Sequence, residues 1–229
     1  MFLVYLFLVF ISCVWATEIQ NHRVVFLPEV HTSKEDHKFQ LQVISSFDGN
    51  AVIAMEMFQH RFQKVLDDFV NGLISEEKML ELSEYKKRWG FDPELYRDIW
   101  NFARSRKIRI YAIGMDSELL PSVRRGESIP GLPSEVLLKP SKKEIEVYES
   151  VLKEHPPIDR EQFYRVQSAW DAFMAYKIYE ILEKEPSAVV FVLVGRYHAL
   201  DYETGIPRRL SIIKPNIKML ILKRASVSN

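Results

Sequence analysis

Histidines and glutamates stand directly after short apolar runs at three places in the chain. These residues are Glu29, His31, Glu56 and His198. A polar side chain in such a position costs free energy if it is buried without a partner. Two imidazoles and two carboxylates that meet in space can bind a metal ion, exchange protons with a substrate, or form a hydrogen-bonded network that closes the end of a sheet.

The residue types leave these three interpretations open. Imidazole and carboxylate ligands suit Zn, Mn or Fe, and His31, His198 and Glu56 form the candidate metal-binding set. Each imidazole would then need an acceptor for its second nitrogen, and Asp116 and Asp171 are candidates. A carboxylate whose pKa is raised by burial would instead favour acid–base catalysis.

Several other chemistries lack the residues that they require. The chain contains no HExxH motif, no GxGxxG run or P-loop, and no GxSxG elbow. Its single cysteine is Cys13, so the chain beyond the leading segment can form neither a disulfide nor a thiolate site. The 229 residues include 31 Lys and Arg against 31 Asp and Glu, with no basic stripe, which argues against nucleic acid as a partner.

Short apolar runs rich in β-branched residues alternate with helical patterns from Arg23 onward. Five of these runs predict strands: Val24–Leu27, Ala51–Met55, Ile108–Ile113, Ala188–Val194 and Ile217–Leu222. The second and fourth runs are almost continuously apolar, which is typical of strands covered on both faces in a parallel sheet. The predicted fold is therefore α/β, with a central, mostly parallel sheet flanked by helices. The carboxyl ends of parallel strands open on one side, so we expect the four polar residues to converge there.

Helical patterns fill most of the segments between these strands. Helices are expected over Lys34–Phe47, from a capped start at Asp92-Pro93 onward, and over Glu161–Lys184. Two regions interrupt the strand–helix rhythm, at about residues 62–90 and 118–160. We interpret them as helical insertions that cap one end of the sheet, with the second as a candidate lid and a functionless surface excursion as the alternative.

The leading residues 1–16, MFLVYLFLVFISCVWA, carry no charged side chain. A helix that spans a bilayer needs about 20 apolar residues, so this segment is more typical of an export signal. Cleavage after Ala16, lipid attachment at Cys13 and an uncleaved anchor remain open. In each case residues 17–229 are expected to form a single domain that is exported or tethered to a membrane.

Tyr96 is a candidate for a separate role, because it shares a helix face with Trp100 one turn later. One interpretation is packing, with the hydroxyl tied to a neighbour. The other is a phenolate ligand to ferric haem, with Trp100 in the aromatic surface that holds the porphyrin.

Several segments, in matching order, resemble the ChaN-like haem-binding uptake lipoproteins. They are LPEVH with HKFQLQVI, AVIAMEMF, WGFDPELYRDIW, HPPID with QSAWDAFMA, and VGRYHALDYETGIPRRL. The wider superfamily is similar to erythromycin esterases and to TIKI/TraB-type metalloproteases, which share a glutamate and two GxxH-like signatures. The signatures fall on Pro28–His31 and Gly195–His198, with Glu29 and Glu56 as acidic partners, and Pro28 stands where the family usually has Gly.

This resemblance implies a bacterial lipoprotein, periplasmic or membrane-anchored, that binds haem through a tyrosine. It places the iron ligand at Tyr96, with Tyr202 as second choice, and it pairs Arg208 and Arg209 with the haem propionates. It also allows a homodimer that forms on haem binding.

Two functions follow as hypotheses. The first is a haem-binding protein of iron or haem uptake that performs no catalysis. The second is a hydrolase of esters or peptides, assisted by a divalent metal such as Mn or Zn, with the cluster defined above as its catalytic residues.

Overall fold

The computed structural model describes residues 15, 17–153 and 159–225. The cleavage and lipidation sites expected at Ala16 and Cys13 lie outside the described residues, as does the part of the second insertion between residues 153 and 159. Within the described part of the chain, no helix has both the length and the apolar character needed to cross a membrane.

Five strands form one sheet in which every neighbouring pair is parallel. They are β1 (Val24–Glu29), β2 (Ala51–Gln59), β3 (Ile110–Gly114), β4 (Val189–Gly195) and β5 (Met219–Ile221). Their order across the sheet is β3-β2-β4-β1-β5. The predicted α/β fold is confirmed. Four strands extend beyond the ends of the apolar runs that predicted them, so Glu29, Glu56, Gly114 and Gly195 are strand residues rather than residues that follow a strand.

Nine α-helices follow β1 in the described residues. They are α1 (Lys34–Ser45), α2 (Gln63–Val70), α3 (Glu76–Leu82), α4 (Tyr85–Arg88), α5 (Arg97–Arg106), α6 (Leu120–Arg125), α7 (Lys142–Leu152), α8 (Arg160–Lys184) and α9 (Gly205–Ile213). Short 3-10 helices cover His60–Phe62, Pro93–Leu95, Ser117–Leu119 and Arg196–Ala199. The first insertion therefore consists of α2 to α4, and the second contains α6 and α7. Closure of the second as a lid stays a prediction.

Alternate residues of the strands enter two separate hydrophobic cores. On β1, Val25 and Leu27 pack with residues of α1, α2 and α5, whereas Val24 and Phe26 pack with residues of α8 and α9. Successive side chains of a strand point to opposite faces. Glu29, in phase with Leu27, is therefore directed toward α1 and α5.

Capping side chains set the helix starts around the site. Ser33 accepts a hydrogen bond from the backbone of Asp36 at the start of α1, and Asp159 caps α8. The start predicted at Asp92 is a 3-10 turn, and Tyr96 lies between that turn and α5. This junction brings Tyr96 into the core, where it is fully buried.

Candidate functional site

The three central strands of the sheet bring the predicted site residues together. β4 lies between β1 and β2, and Glu29 is opposite Gly195 in the β1–β4 register. The backbone N–H of Gly195 donates to Oε2 of Glu56 at 2.7 Å. Nε2 of His198 lies 3.3 Å from Oε1 of the same carboxylate. A Cβ atom on Gly195 would lie 2.8 Å from Cε1 of His31, so glycine is required for this close approach.

Glu29 is the centre of a buried cluster beneath His31. Its Oε1 lies 2.7 Å from Nδ1 of His31 and accepts a hydrogen bond from the Tyr96 hydroxyl at 3.0 Å. Its Oε2 contacts Nε2 of His37, which extends from α1. Burial by itself raises the pKa of Glu29, but the two histidines outweigh burial and hold this pKa below its ordinary value. Burial likewise lowers the pKa of His31, and the hydrogen bond to Glu29 together with the Glu56 charge raises it above its ordinary value.

His198 is buried between two carboxylates. Its Nδ1 lies 2.6 Å from Oδ1 of Asp171 on α8, and its Nε2 faces Glu56. Burial disfavours the charged imidazole, but the two carboxylates outweigh it and raise the pKa of His198 above its ordinary value. The same contact lowers the pKa of Glu56 against the effect of burial. The trio therefore holds a protonated imidazole with a negative charge on either side.

A metal centre is not supported by this arrangement. Among residues 15, 17–153 and 159–225, no three His, Cys, Asp or Glu side chains are placed to hold one metal ion. The predicted set of His31, His198 and Glu56 lies close together, but both ring nitrogens of His198 face carboxylates.

An open cavity of about 410 Å³ lies over these strand ends. The four predicted polar residues line it, and Arg88 and Arg196 add guanidinium groups to its wall. Its aromatic lining comes from both insertions, α8 and the segment after β4: Trp89, Phe91, Tyr148, Phe163, Trp170 and Tyr197. Nε1 of Trp170 is buried and has no hydrogen-bond partner among the described residues. The cavity therefore presents aromatic surface together with charged and polar groups to a ligand.

The two tyrosines expected to bind iron lie elsewhere. Tyr96 is completely buried, donates to Glu29, and stacks on Trp100 with ring centroids 6.4 Å apart. Burial and the nearby Glu29 charge raise the pKa of Tyr96. Tyr202 is 49 % exposed, and its hydroxyl accepts from the backbone of Ile221 on β5. Neither side chain is among those that line the cavity.

The two arginines expected to pair with propionates are bound to the second insertion instead. Arg209 is completely buried, and its guanidinium donates to Glu144 of α7 at 2.6 Å and to Ser168 at 2.8 Å. Arg208 donates to the other carboxylate oxygen of Glu144 at 2.7 Å. Neither arginine lines the cavity, so a propionate contact would require Glu144 to be displaced.

Sequence reasoning missed several residues of the site. His37 and Tyr197 were not proposed for it, and Asp171 was named with Asp116 as an acceptor for either imidazole. Asp171 is the residue that takes this position, whereas Asp116 accepts from the backbone of Arg61. His37 lies in the HKFQLQVI segment and Tyr197 in VGRYHAL, so their positions in matched segments were the available signal.

Fold and site together define an α/β protein with an open cavity over the carboxyl ends of a parallel sheet. The family model described as haem-binding uptake, Tiki superfamily, ChaN, matches residues 15–210. The chain belongs to this family. The comparison with curated proteins gives no match.

Solved structures support the same fold. The chain is similar to ChaN of Campylobacter jejuni, from a study of cofacial haem binding, with a TM-score of 0.72, 16 % identity, and coverage of 93 % of this chain and 86 % of that one. An erythromycin esterase, EreC, in its open conformation gives a TM-score of 0.53 at 13 % identity over 90 % of this chain and 70 % of the esterase. A toxin effector domain from Vibrio vulnificus gives 0.51 at 17 % identity over 94 % of this chain and 35 % of that one.

Proposed function

We propose that this chain binds haem in the cavity over the ends of β1, β2 and β4, as a component of haem or iron uptake. One observation carries the proposal: an aromatic-walled cavity of about 410 Å³ lies at this edge of the sheet in a chain of a haem-binding uptake family. Aromatic walls match the faces of a porphyrin. The guanidinium group of Arg196 matches the charge of its carboxylates, whereas Arg88 is already paired with Glu84 and Glu118.

The tyrosine best placed to bind the iron is Tyr197. It lies at the cavity wall, is partly exposed, and its hydroxyl accepts a hydrogen bond from Arg196 at 2.8 Å. The same guanidinium lies 4.8 Å from the centroid of the Tyr197 ring. A phenolate is an established axial ligand of ferric haem, and a neighbouring cation compensates its negative charge. The proposed ligand therefore moves from Tyr96 or Tyr202 to Tyr197.

Titration of the purified protein with hemin tests both parts of this proposal. We expect a saturable Soret shift and a tyrosinate-type ferric spectrum. Tyr197→Phe should abolish the tyrosinate signature, whereas the matched change Tyr202→Phe should leave it unchanged. Loss of the signature in Tyr96→Phe or Tyr202→Phe, with Tyr197→Phe unaffected, would move the ligand back to those residues. A wild-type protein that gives no saturable shift would refute haem binding itself.

Haem uptake also requires the haem-binding site to face the compartment in which the protein encounters haem. We propose that residues 1–16 direct export and that lipid on Cys13 tethers the domain to a membrane. A Cys13→Ala protein should then move from the membrane fraction to the soluble exported fraction, and intact mass should show loss of the lipid.

We also propose that haem binding promotes a homodimer, which light scattering with and without hemin will reveal.

One observation favours a second candidate function, hydrolysis of an ester or peptide. His31 is held at Nδ1 by a buried carboxylate, lines the cavity, and shares it with the charged His198. A histidine oriented by a carboxylate can act as a general base. Glu29 is then the orienting group and Glu56 holds His198, so no metal ion is needed.

A panel of p-nitrophenyl esters and peptides, assayed with and without chelator, tests this candidate. Turnover that His31→Ala abolishes and chelator leaves intact would support it. Stoichiometric Mn or Zn by elemental analysis, lost in both His31→Ala and His198→Ala, would instead restore the metal-assisted version. Hemin binding without turnover on any substrate would leave haem binding as the function.

A further inference from the structure

A second cavity, of about 190 Å³, lies between the second insertion and α8. Its apolar wall comes from α6, the segment after it, and α8: Val123, Ile129, Leu137, Leu138, Pro140 and Ala169. It shares no lining residue with the cavity over the strand ends. Neither the haem proposal nor the hydrolase proposal uses it.

The size and lining of this cavity suit a hydrocarbon group. An apolar protein cavity of about 150 Å³ stays dry and binds benzene. The wall is also held in place, since the Ser168 hydroxyl donates to the carbonyl of Leu138 at 2.7 Å and itself accepts from the buried Arg209 at 2.8 Å. The cavity is therefore preformed rather than dependent on a ligand to open it.

Charges at the rim of this cavity favour an anion. Lys139 is exposed and has no ion-pair partner within the described ranges. Arg165 approaches a carboxylate only at 3.9 Å, at the highly exposed Glu161. The acidic rim residue, Glu127, is already paired with Arg125. Two cations therefore remain available beside an apolar cavity.

We propose that this cavity is a binding site for a small amphiphile with a carboxylate head and a short hydrocarbon tail, such as a medium-chain fatty acid. The tail occupies the space beside Ala169 and Ile129. The head lies between the side chains of Lys139 and Arg165, where charge-assisted hydrogen bonds form.

Calorimetric titration of the haem-free full-length protein with decanoate tests the site. We expect saturable binding of one decanoate per chain. Decanol, with the same tail and no charge, should bind about tenfold more weakly or worse. Reversing the rim charges with Lys139→Glu and Arg165→Glu together should produce the same loss. Lys38→Glu is the matched control, because Lys38 is exposed on α1 and away from the rim, and it should leave the affinity unchanged.

A cavity-filling change locates the tail. Ala169→Leu should abolish decanoate binding, and if this variant does not fold, shifts of the Ile129 and Val123 methyl resonances on titration give the same information. Equal binding of decanoate by the charge-reversed and wild-type proteins, or no saturable binding, would overturn the proposal. Competition with hemin separates the proposed decanoate site from the haem site. If hemin displaces decanoate, or if Tyr197→Phe abolishes decanoate binding, decanoate binds in the cavity over the strand ends and the proposal is overturned.

Discussion

His31 and His198 follow neighbouring strands of the same sheet, yet their surroundings differ. The His31 side chain is 29 % exposed, meets one carboxylate through Nδ1, and packs against Trp89 with ring centroids 4.6 Å apart. The His198 side chain is 10 % exposed and faces a carboxylate at each ring nitrogen. Nε2 of His31 has no hydrogen-bond partner in the described part of the chain, and the ring lines the cavity.

This difference separates a histidine that can serve a ligand from one that serves the fold. An imidazolium between two buried carboxylates keeps its proton, because losing it would leave negative charges uncompensated at low dielectric. His31 can exchange a proton or reorient at little cost, because part of its ring meets solvent. Changes near His198 should therefore affect stability, and changes near His31 should affect ligands.

Removing the carboxylate of Asp171 should give the largest effect on stability. Asp171→Ala removes one of the two carboxylates that face the buried His198, which keeps Glu56, and one of the two beside the buried Arg209, which keeps Glu144. Breaking a buried pair in this way costs about 3–5 kcal/mol. Urea denaturation measures the free energy of unfolding. As a control, Glu203→Ala removes an exposed partner of Lys143 and should change the free energy of unfolding by less than about 0.5 kcal/mol. Equal effects of Asp171→Ala and Glu203→Ala would contradict a structural role for the His198 cluster.

Stability should also depend on pH through the buried trio. The folded-state pKa of His198 is raised above 6.5, so its contribution is complete below pH 6.5 and is lost as pH rises through the folded value. The folded-state pKa of Glu56 is lowered from 4.5, so its contribution is complete above pH 4.5 and is lost as pH falls through the folded value. Stability from this trio is therefore greatest between these two limits.

Denaturation above pH 6.5 sharpens the comparison of the two histidines. The free energy of unfolding should fall by up to about 1.4 kcal/mol per pH unit for each proton involved. His198→Gln should remove most of this slope, whereas His31→Gln should retain most of it. If the slope disappears in His31→Gln and persists in His198→Gln, then His31 rather than His198 is the histidine that holds a fixed charge.

Gly195→Ala should affect His31 and leave His198 unchanged. The added methyl group would lie 2.8 Å from Cε1 of His31, so the ring must rotate away from Glu29. Because that ring is partly exposed, we expect a loss of about 1 kcal/mol, at the low end of overpacking effects. NMR should show shifted ring resonances for His31 and unchanged ones for His198. Shifts at both rings would mean that the two histidines form one unit.

His31→Gln should have a far smaller effect on stability than Asp171→Ala. Glu29 keeps its contact with His37 and its hydrogen bond from Tyr96, so we expect a loss of about 0.5–1.5 kcal/mol, that of one ordinary hydrogen bond. Urea denaturation gives this value. A loss as large as that of Asp171→Ala would place His31 among the residues that hold the fold.

Local patterns predicted the elements that carry the site. Each apolar run became a strand of one parallel sheet, and this topology places Glu29, Glu56 and His198 at the same edge. The prediction succeeds because strand periodicity and burial on both faces are properties of short segments. The same patterns also predicted the long helix α8, which is observed at Arg160–Lys184 within a residue of the expected start.

Tertiary packing alone decided which side chains face the ligand. Tyr96 and Tyr197 are equally plausible phenols in the sequence, yet one is completely buried against Glu29 and the other lines the cavity. Arg209 resembles an exposed arginine in the sequence but lies buried against Glu144, which stands in the first turn of α7. Asp171 pairs with His198 although the two residues are 27 positions apart in the sequence. Such a pair depends on how the helices dock on the sheet. Docking is set by the summed packing of distant residues, which no local pattern records.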